Sequence, residues 1–202
     1  MRHELLADTT LNTLAGLPSK GCVSLVVRHS VRDPILGDND IYLARLTPQG
    51  KAAARQFGRS LAHLKKLGRL ISSPVSRCVD TALAIAEGAG YGQLVRVDDR
   101  LSHTLMAPIW NALPVCRNFD TMPPQMVALL ELLVPQPGGD GNVDIFVTHD
   151  TVVGALAGTI TGEPVKDEAI PLYLEGFFIW QDEKDIHFWW RGKNHVITTL
   201  AA

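Results

Sequence analysis

The segment Val23-Ser24-Leu25-Val26-Val27-Arg28-His29 decides how this chain folds. Its first five residues form a short apolar, β-branched run, which is typical of a strand buried inside a sheet. A permanent cation and an imidazole follow directly, where this strand should end. In open α/β sheets ligands bind beyond the carboxyl ends of the strands, so we expect Arg28 and His29 to face a binding site.

Strand-like and helix-like segments alternate along the rest of the chain. Thr47 is expected to cap a helix that begins at Pro48, extends to about Leu67 and ends at Gly68. The other expected helices cover about 73–87, 123–133 and 151–161, and the other expected strands cover 70–72, 94–97, 143–147, 172–180 and 186–190. This alternation predicts an α/β fold in which helices cover both faces of an open sheet.

Length and composition indicate one globular domain over residues 1–202. Hydrophobic residues make up 46% of the chain and charged residues 20%, with a formal net charge of −2. Such a balance argues against a general nucleic-acid binder. No uncharged stretch reaches the roughly 18 apolar residues that suggest a membrane span. No apolar run typical of a signal peptide follows Met1, so a cytoplasmic protein that does not bind membranes is the default expectation.

Three cysteines, Cys22, Cys78 and Cys116, are odd in number and far apart in the sequence. No CxxC pair occurs among them, so neither a disulfide framework nor a cysteine zinc site is predicted. We expect buried free thiols.

The polar side chains at three expected strand ends suit a phosphoryl group. These residues are Arg28, His29 and Arg32 near the first strand, Ser72, Ser73 and Arg77 after the second, and His149 and Asp150 after the fourth. Guanidinium groups match phosphate oxygens bidentately, and they disfavour protonation of a nearby imidazole. A neutral His29 would be a competent nucleophile at neutral pH, and Asp150 could supply a proton to a leaving alkoxide.

Four segments of the chain resemble the histidine phosphatase superfamily. They are Leu25–Pro34, Leu46–Gly50, Ser72–Ala82 and Val147–Thr151. The first is similar to the RHGxRxP pattern of the acid-phosphatase and phytase branch. The last is similar to that branch's HD motif, in which the aspartate is the proton donor. Each short motif alone is weak, but four of them in this order on expected strand ends are specific.

The resemblance implies that His29 becomes a phosphohistidine and that Asp150 is the general acid. The residues implied to hold the phosphoryl group are Arg28, Arg32, Arg77 and His149. No metal and no cofactor are implied. The implied fold is phosphoglycerate mutase-like, a three-layer α/β/α sandwich with a mixed, mostly parallel central sheet. Insertions at about 30–46 and 103–122 would form a small cap.

Some residues keep more than one interpretation. Ser30 stands where the family pattern has glycine, and its side chain either crowds the phosphate or donates a hydrogen bond to it. His103 and Trp110, in the second insertion, are candidates for substrate contact, against a surface or packing role. Asp150 is also a favoured residue type for a helix N-cap, a role that is compatible with proton donation.

These observations predict a metal-independent phosphatase acting on a phosphomonoester of a small metabolite. Within the same fold, a phosphomutase or a phosphohistidine-protein phosphatase is the alternative. Because Ser30 replaces the glycine of the family pattern, a protein that binds phosphate without catalysing a reaction is a further alternative. The expected partner is a small phosphorylated substrate, without nucleic acid or membrane. The terminal strand pair offers an edge through which a homodimer could form.

Overall fold

A seven-stranded mixed sheet organises the chain, and every residue of its strand β1 (Val23–Arg28) is buried. This computed structural model describes residues 2–17, 21–37, 42–102, 116, 118, 121–135, 141–163, 170–183 and 185–198. The other strands are β2 (Leu67–Ser72), β3 (Arg96–Val97), β4 (Val143–Thr148), β5 (Gly176–Gln181), β6 (Asp185–Trp190) and β7 (Lys193–Thr198).

Strand β1 joins two halves of the sheet, whose strand order is β3-β2-β4-β1-β5-β6-β7. It runs parallel to β4, with Val23 opposite Val143, and antiparallel to β5, with Val23 opposite Trp180. Strands β2 and β3 continue the parallel half, while β6 and β7 continue the antiparallel half. Because β1, β2 and β4 are parallel, their carboxyl ends meet at one edge of the sheet, where the expected site residues lie.

Helices cover both faces of this sheet and create two apolar cores. They are α1 (Arg2–Gly16), α2 (Pro48–Leu64), α3 (Ser76–Ala89), α4 (Pro124–Leu133) and α5 (Asp150–Thr161). One core contains Leu14, Phe57 and Ile85 from α1, α2 and α3. The other contains Leu130 and Leu156 from α4 and α5. The predicted three-layer α/β/α sandwich with a mixed sheet is confirmed.

Helix α2 begins as predicted but ends earlier. Thr47 caps it, yet the helix stops at Leu64. The prediction that Gly68 ends the helix is wrong, because Gly68 lies inside β2. A Cβ atom at this position would come within 2.3 Å of a carboxylate oxygen of Asp144, so any other residue there would have to displace the Asp144 side chain.

Several other sequence predictions differ from the structure or lie outside the part that it describes. The sequence patterns do not predict α1 or β7, and β3 is shorter than the strand expected at 94–97. All three cysteines are free; Cys78 and Cys116 are buried, whereas Cys22 is partly exposed. Most of the expected cap at 103–122 lies outside the described residues, so the cap, the single-domain organisation and the homodimer stay predictions.

None of the helices among the described residues is both long enough and apolar enough to cross a membrane.

Candidate active site

Residues from three strand ends come together at the carboxyl edge of the parallel strands. Arg28 ends β1 and His29 follows it, Arg77 lies in the first turn of α3, and His149 joins β4 to α5. Their exposed fractions are 8% for Arg28, 2% for His29, 3% for Arg77 and 1% for His149. Two buried guanidinium groups and two buried imidazoles therefore share one small polar region, as the motif order predicted.

The hydrogen bonds of His29 define which ring nitrogen carries its proton. Nδ1 lies 2.8 Å from the carbonyl oxygen of Ser30, which only accepts, so Nδ1 donates. Nε2 accepts a hydrogen bond of 3.1 Å from Nε of Arg77. His29 is thus a neutral imidazole whose lone pair on Nε2 points at a guanidinium group.

Burial and neighbouring charge both favour this neutral form. Desolvation lowers the pKa of His29 well below 6.5, and the charges of Arg77, Arg28 and Arg32 lower it further. The hydrogen bond to the Ser30 carbonyl raises the pKa of His29, but by less than burial and the arginine charges together lower it. The imidazole is consequently free of a proton on Nε2 at neutral pH.

The same arginine also holds the second imidazole. Nη2 of Arg77 lies 3.1 Å from Nδ1 of His149, and a guanidinium nitrogen can only donate, so Nδ1 is unprotonated. Nε2 of His149 lies 3.0 Å from Oγ of Ser73, to which the neutral ring donates. Arg77 therefore bridges the two imidazoles, and Ser73 fixes the ring of His149 from the far side.

The guanidinium group of Arg28 makes a hydrogen bond, an ion pair and an aromatic contact. Its Nη1 donates to the carbonyl oxygen of Pro171 at 2.6 Å, and its Nη2 forms an ion pair of 2.7 Å with Asp150. Its guanidinium carbon lies 4.2 Å from the centre of the Tyr173 ring. Within the part of the chain that the structure describes, the buried Nε of Arg28 has no hydrogen-bond partner. Burial lowers the pKa of Arg28, and the Asp150 carboxylate counteracts this effect.

Asp150 occupies a different helix position from the one predicted. His149 is the N-cap residue of α5 and Asp150 is the first residue inside the helix, so the N-cap prediction for Asp150 is wrong. Its Oδ1 accepts a hydrogen bond from the backbone N–H of Thr151 at 2.9 Å. The side chain is 29% exposed, so it can reach solvent as well as Arg28.

Arg32 is partly exposed and lies close to this group. Its Nη1 donates to the backbone carbonyl of Asp33, and its backbone pairs with Leu46 in an isolated β-bridge. The charge of Arg32 lowers the pKa values of His29, Arg28 and Arg77, so it is close enough to act on all three.

Ser30 is completely buried and is bonded within the fold. Its hydroxyl donates to the carbonyl oxygen of Gly50 at 2.8 Å, and its backbone N–H donates to Oγ1 of Thr81 at 3.0 Å. The hydroxyl proton is thus committed to α2, and substrate contact by Ser30 stays a prediction. The candidates His103 and Trp110 lie outside the described residues.

The sequence motifs do not identify Tyr173, which lies between α5 and β5. Its ring centre is 5.7 Å from that of His29, and the rings are tilted by 47°. Only the way the chain turns before β5 brings this tyrosine beside β1, and no local pattern signals that turn.

Comparison with protein families agrees with the first part of this site. Residues 26–108 match the family model described as histidine phosphatase superfamily (branch 1). The matched segment includes His29 and Arg77, whereas His149 and Asp150 lie beyond it. The more specific similarity to the acid-phosphatase branch stays a prediction. Among curated proteins, none matches this sequence.

Solved structures resemble the whole fold at low sequence identity. A mycobacterial hydrolase (hydrolase 1) aligns with a TM-score of 0.54 and 17% identity, over 89% of this chain and 98% of that chain. A mycobacterial glucosyl-3-phosphoglycerate phosphatase in complex with VO3 gives 0.53 and 17%, over 89% and 99%. YhfR of Bacillus stearothermophilus gives 0.52 and 19%, over 88% and 96%. These likenesses confirm the predicted phosphoglycerate mutase-like fold.

The buried neutral His29 generates a prediction about pH. Because its pKa in the folded chain is well below 6.5, Nε2 should stay unprotonated as the pH falls from 7.5 through 6.5. Below about pH 6.5, the histidine pKa of an unfolded chain, the unfolded state binds a proton that folded His29 does not bind. The stability contributed by neutral His29 is therefore complete above this pH and decreases as the pH falls toward the pKa of His29 in the folded chain. ¹⁵N NMR of the imidazole, assigned with a His29→Gln variant, measures the titration. A midpoint at or above that of a histidine peptide would contradict the expectation.

Proposed function

We propose that this chain, whose residues 26–108 match the histidine phosphatase superfamily (branch 1), is a metal-independent phosphatase. It would hydrolyse a phosphomonoester of a small metabolite through a phosphohistidine on His29. One observation carries this proposal. Arg77 contacts Nε2 of His29 and Nδ1 of His149 at 3.1 Å each, so a phosphoryl group bound by Arg77 would lie against the lone pair of His29.

The charges of the site favour a phosphomonoester dianion. The three guanidinium groups of Arg28, Arg32 and Arg77 outnumber the two carboxylates, Asp150 and Glu175, whose charges act on Arg28 among the described residues. The hydrogen bonds of both imidazoles are those of neutral rings. Fixed cations in a buried region stabilise the charge that spreads over phosphoryl oxygens during transfer. Among the described residues, none accepts a hydrogen bond from the buried Nε of Arg28, and a phosphoryl oxygen would satisfy this donor.

In the first step, the lone pair on Nε2 of His29 attacks phosphorus and the bond from phosphorus to the ester oxygen breaks. Arg77 must first exchange its contact with Nε2 for a phosphoryl oxygen, since that contact occupies the lone pair. The hydrogen bond from Nδ1 to the Ser30 carbonyl then stabilises the positive charge that develops on the ring. The product of this step is a phosphohistidine and an alkoxide that needs a proton.

Asp150 is the group we assign to proton transfer. To donate, its carboxyl must carry a proton and exchange its contact with Arg28 for one with the leaving oxygen. The resulting carboxylate can accept a proton from water as that water attacks the phosphohistidine. The bond from phosphorus to Nε2 breaks, inorganic phosphate is released, and neutral His29 and protonated Asp150 are regenerated.

Turnover of p-nitrophenyl phosphate in excess chelator tests the proposed activity. We expect the purified protein to hydrolyse this ester without a metal ion and the variant His29→Ala to lose turnover, because it lacks the nucleophile. His63→Ala is a matched control, since His63 is exposed in the last turn of α2, away from the site. No hydrolysis by the unaltered chain between pH 4 and pH 9 would favour a silent phosphate-binding module instead.

Asp150→Asn tests proton donation. We expect a loss of about 10²–10⁴-fold with an alkyl phosphate, whose leaving group needs a proton, and a smaller loss with p-nitrophenyl phosphate. The inhibition constant of inorganic phosphate, measured on the same variant, separates this effect from weaker anchoring of Arg28. Losses of equal size on the two esters would remove Asp150 from the acid role.

A further inference from the structure

Tyr173 belongs to none of the motifs, yet its ring contacts the two residues with which the site begins. The guanidinium carbon of Arg28 lies 4.2 Å from the ring centre, and the ring centre of His29 lies at 5.7 Å. Tyr173 is half-buried.

The turn that carries Tyr173 is fastened to Arg28. The backbone N–H of Leu174 donates to the carbonyl oxygen of Arg28 at 3.2 Å, and the N–H of Arg28 donates to that of Glu175 at 3.0 Å. Leu174 has a φ of 59°, a left-handed conformation that a branched side chain rarely adopts. Such strain persists only where the surroundings determine the backbone, which indicates that the position of Tyr173 is imposed.

A further contact supports this turn from the other end of the chain. Oγ1 of Thr10, in α1, donates to the carbonyl oxygen of Leu174 at 3.3 Å and is buried. The backbone of the turn that carries Tyr173 is therefore held between α1 and β1, beside Arg28.

We propose that Tyr173 is a positioning residue whose aromatic ring holds the guanidinium group of Arg28 in place for the phosphoryl group. The proposal rests on the proposed function. Pro171 and Asp150 bind the two terminal nitrogens of Arg28, and the ring covers its face. The negative face of an aromatic ring attracts a guanidinium group, most strongly where both are desolvated.

Proton transfer makes the ring contact necessary. When the Asp150 carboxyl carries the proton that it donates, it no longer forms an ion pair with Arg28, although Arg28 must stay on the phosphoryl oxygens. The ring of Tyr173 and the carbonyl oxygen of Pro171 are the contacts that persist. We therefore assign the positioning of Arg28 to the ring of Tyr173, which is the part of the residue that covers the guanidinium group.

Calorimetric titration with inorganic phosphate tests this without requiring turnover. We expect Tyr173→Leu to raise the dissociation constant of phosphate by roughly 2- to 30-fold, the range of a cation–π contact. Tyr173→Phe keeps the ring and should bind within about twofold of the unaltered chain. KM for p-nitrophenyl phosphate should rise with the dissociation constant in Tyr173→Leu and should be restored by Tyr173→Phe.

Tyr91→Leu is the matched control, because Tyr91 donates to the carbonyl oxygen of Gly68 at the opposite end of β2 and should not affect phosphate binding. Circular dichroism checks folding, and Tyr173→Met replaces Tyr173→Leu if the latter does not fold. Unchanged phosphate affinity in a folded ringless variant would overturn the proposal, as would equal weakening by Tyr173→Phe.

The two proposals fail in different ways. Phosphate binding that depends on the ring, in a chain that hydrolyses no ester, would overturn the proposed function and keep Tyr173 as the residue that positions Arg28. Ester hydrolysis by a chain whose phosphate affinity does not depend on the ring would keep the proposed function and overturn the positioning role of Tyr173. A chain that binds no phosphate would overturn both.

Discussion

The contact of one buried guanidinium group with two imidazoles determines the chemistry of this site. Arg77 can only donate hydrogen bonds, so the ring nitrogens that it meets, Nε2 of His29 and Nδ1 of His149, must both carry lone pairs. The carbonyl of Ser30 and the hydroxyl of Ser73 take the remaining ring protons. The arrangement thereby leaves Nε2 of His29, the proposed nucleophile, unprotonated, and its lone pair becomes available when Arg77 turns from it to a bound phosphoryl oxygen.

The fold supplies this contact by bringing distant parts of the chain to one sheet edge. Parallel pairing of β1 with β4, and of β4 with β2, places the residues after each strand side by side. The antiparallel half contributes differently: the turn before β5 is bonded to Arg28, and α1 supports that turn through Thr10. One half of the sheet thus carries the charged groups, and the other half together with α1 restricts how Arg28 can move.

The sequence contained most of the information about the parallel half, because buried strands have continuous apolar runs and their polar ends are easy to recognise. Such polar strand ends single out Arg28, His29, Arg77 and His149, which the structure brings together and whose catalytic and phosphate-binding roles stay predictions. The sequence does not predict helix α1 because its few apolar residues form only a weak amphipathic pattern, and it does not predict β7 because polar residues interrupt that strand. Gly68 resembles a helix end because local rules do not show the close approach of Asp144. Tyr173 depends on a left-handed turn at Leu174 that no motif encodes.

Trapping the covalent intermediate is the most direct test of this account. The protein is mixed with a ³²P-labelled phosphomonoester and quenched in alkali, where a phosphorus–nitrogen bond survives, and labelled peptides are identified by mass spectrometry. The account predicts one acid-labile phosphopeptide containing phosphorylated His29, formed and lost at rates that match turnover. Turnover without any labelled peptide, or label on a residue other than His29, would contradict it.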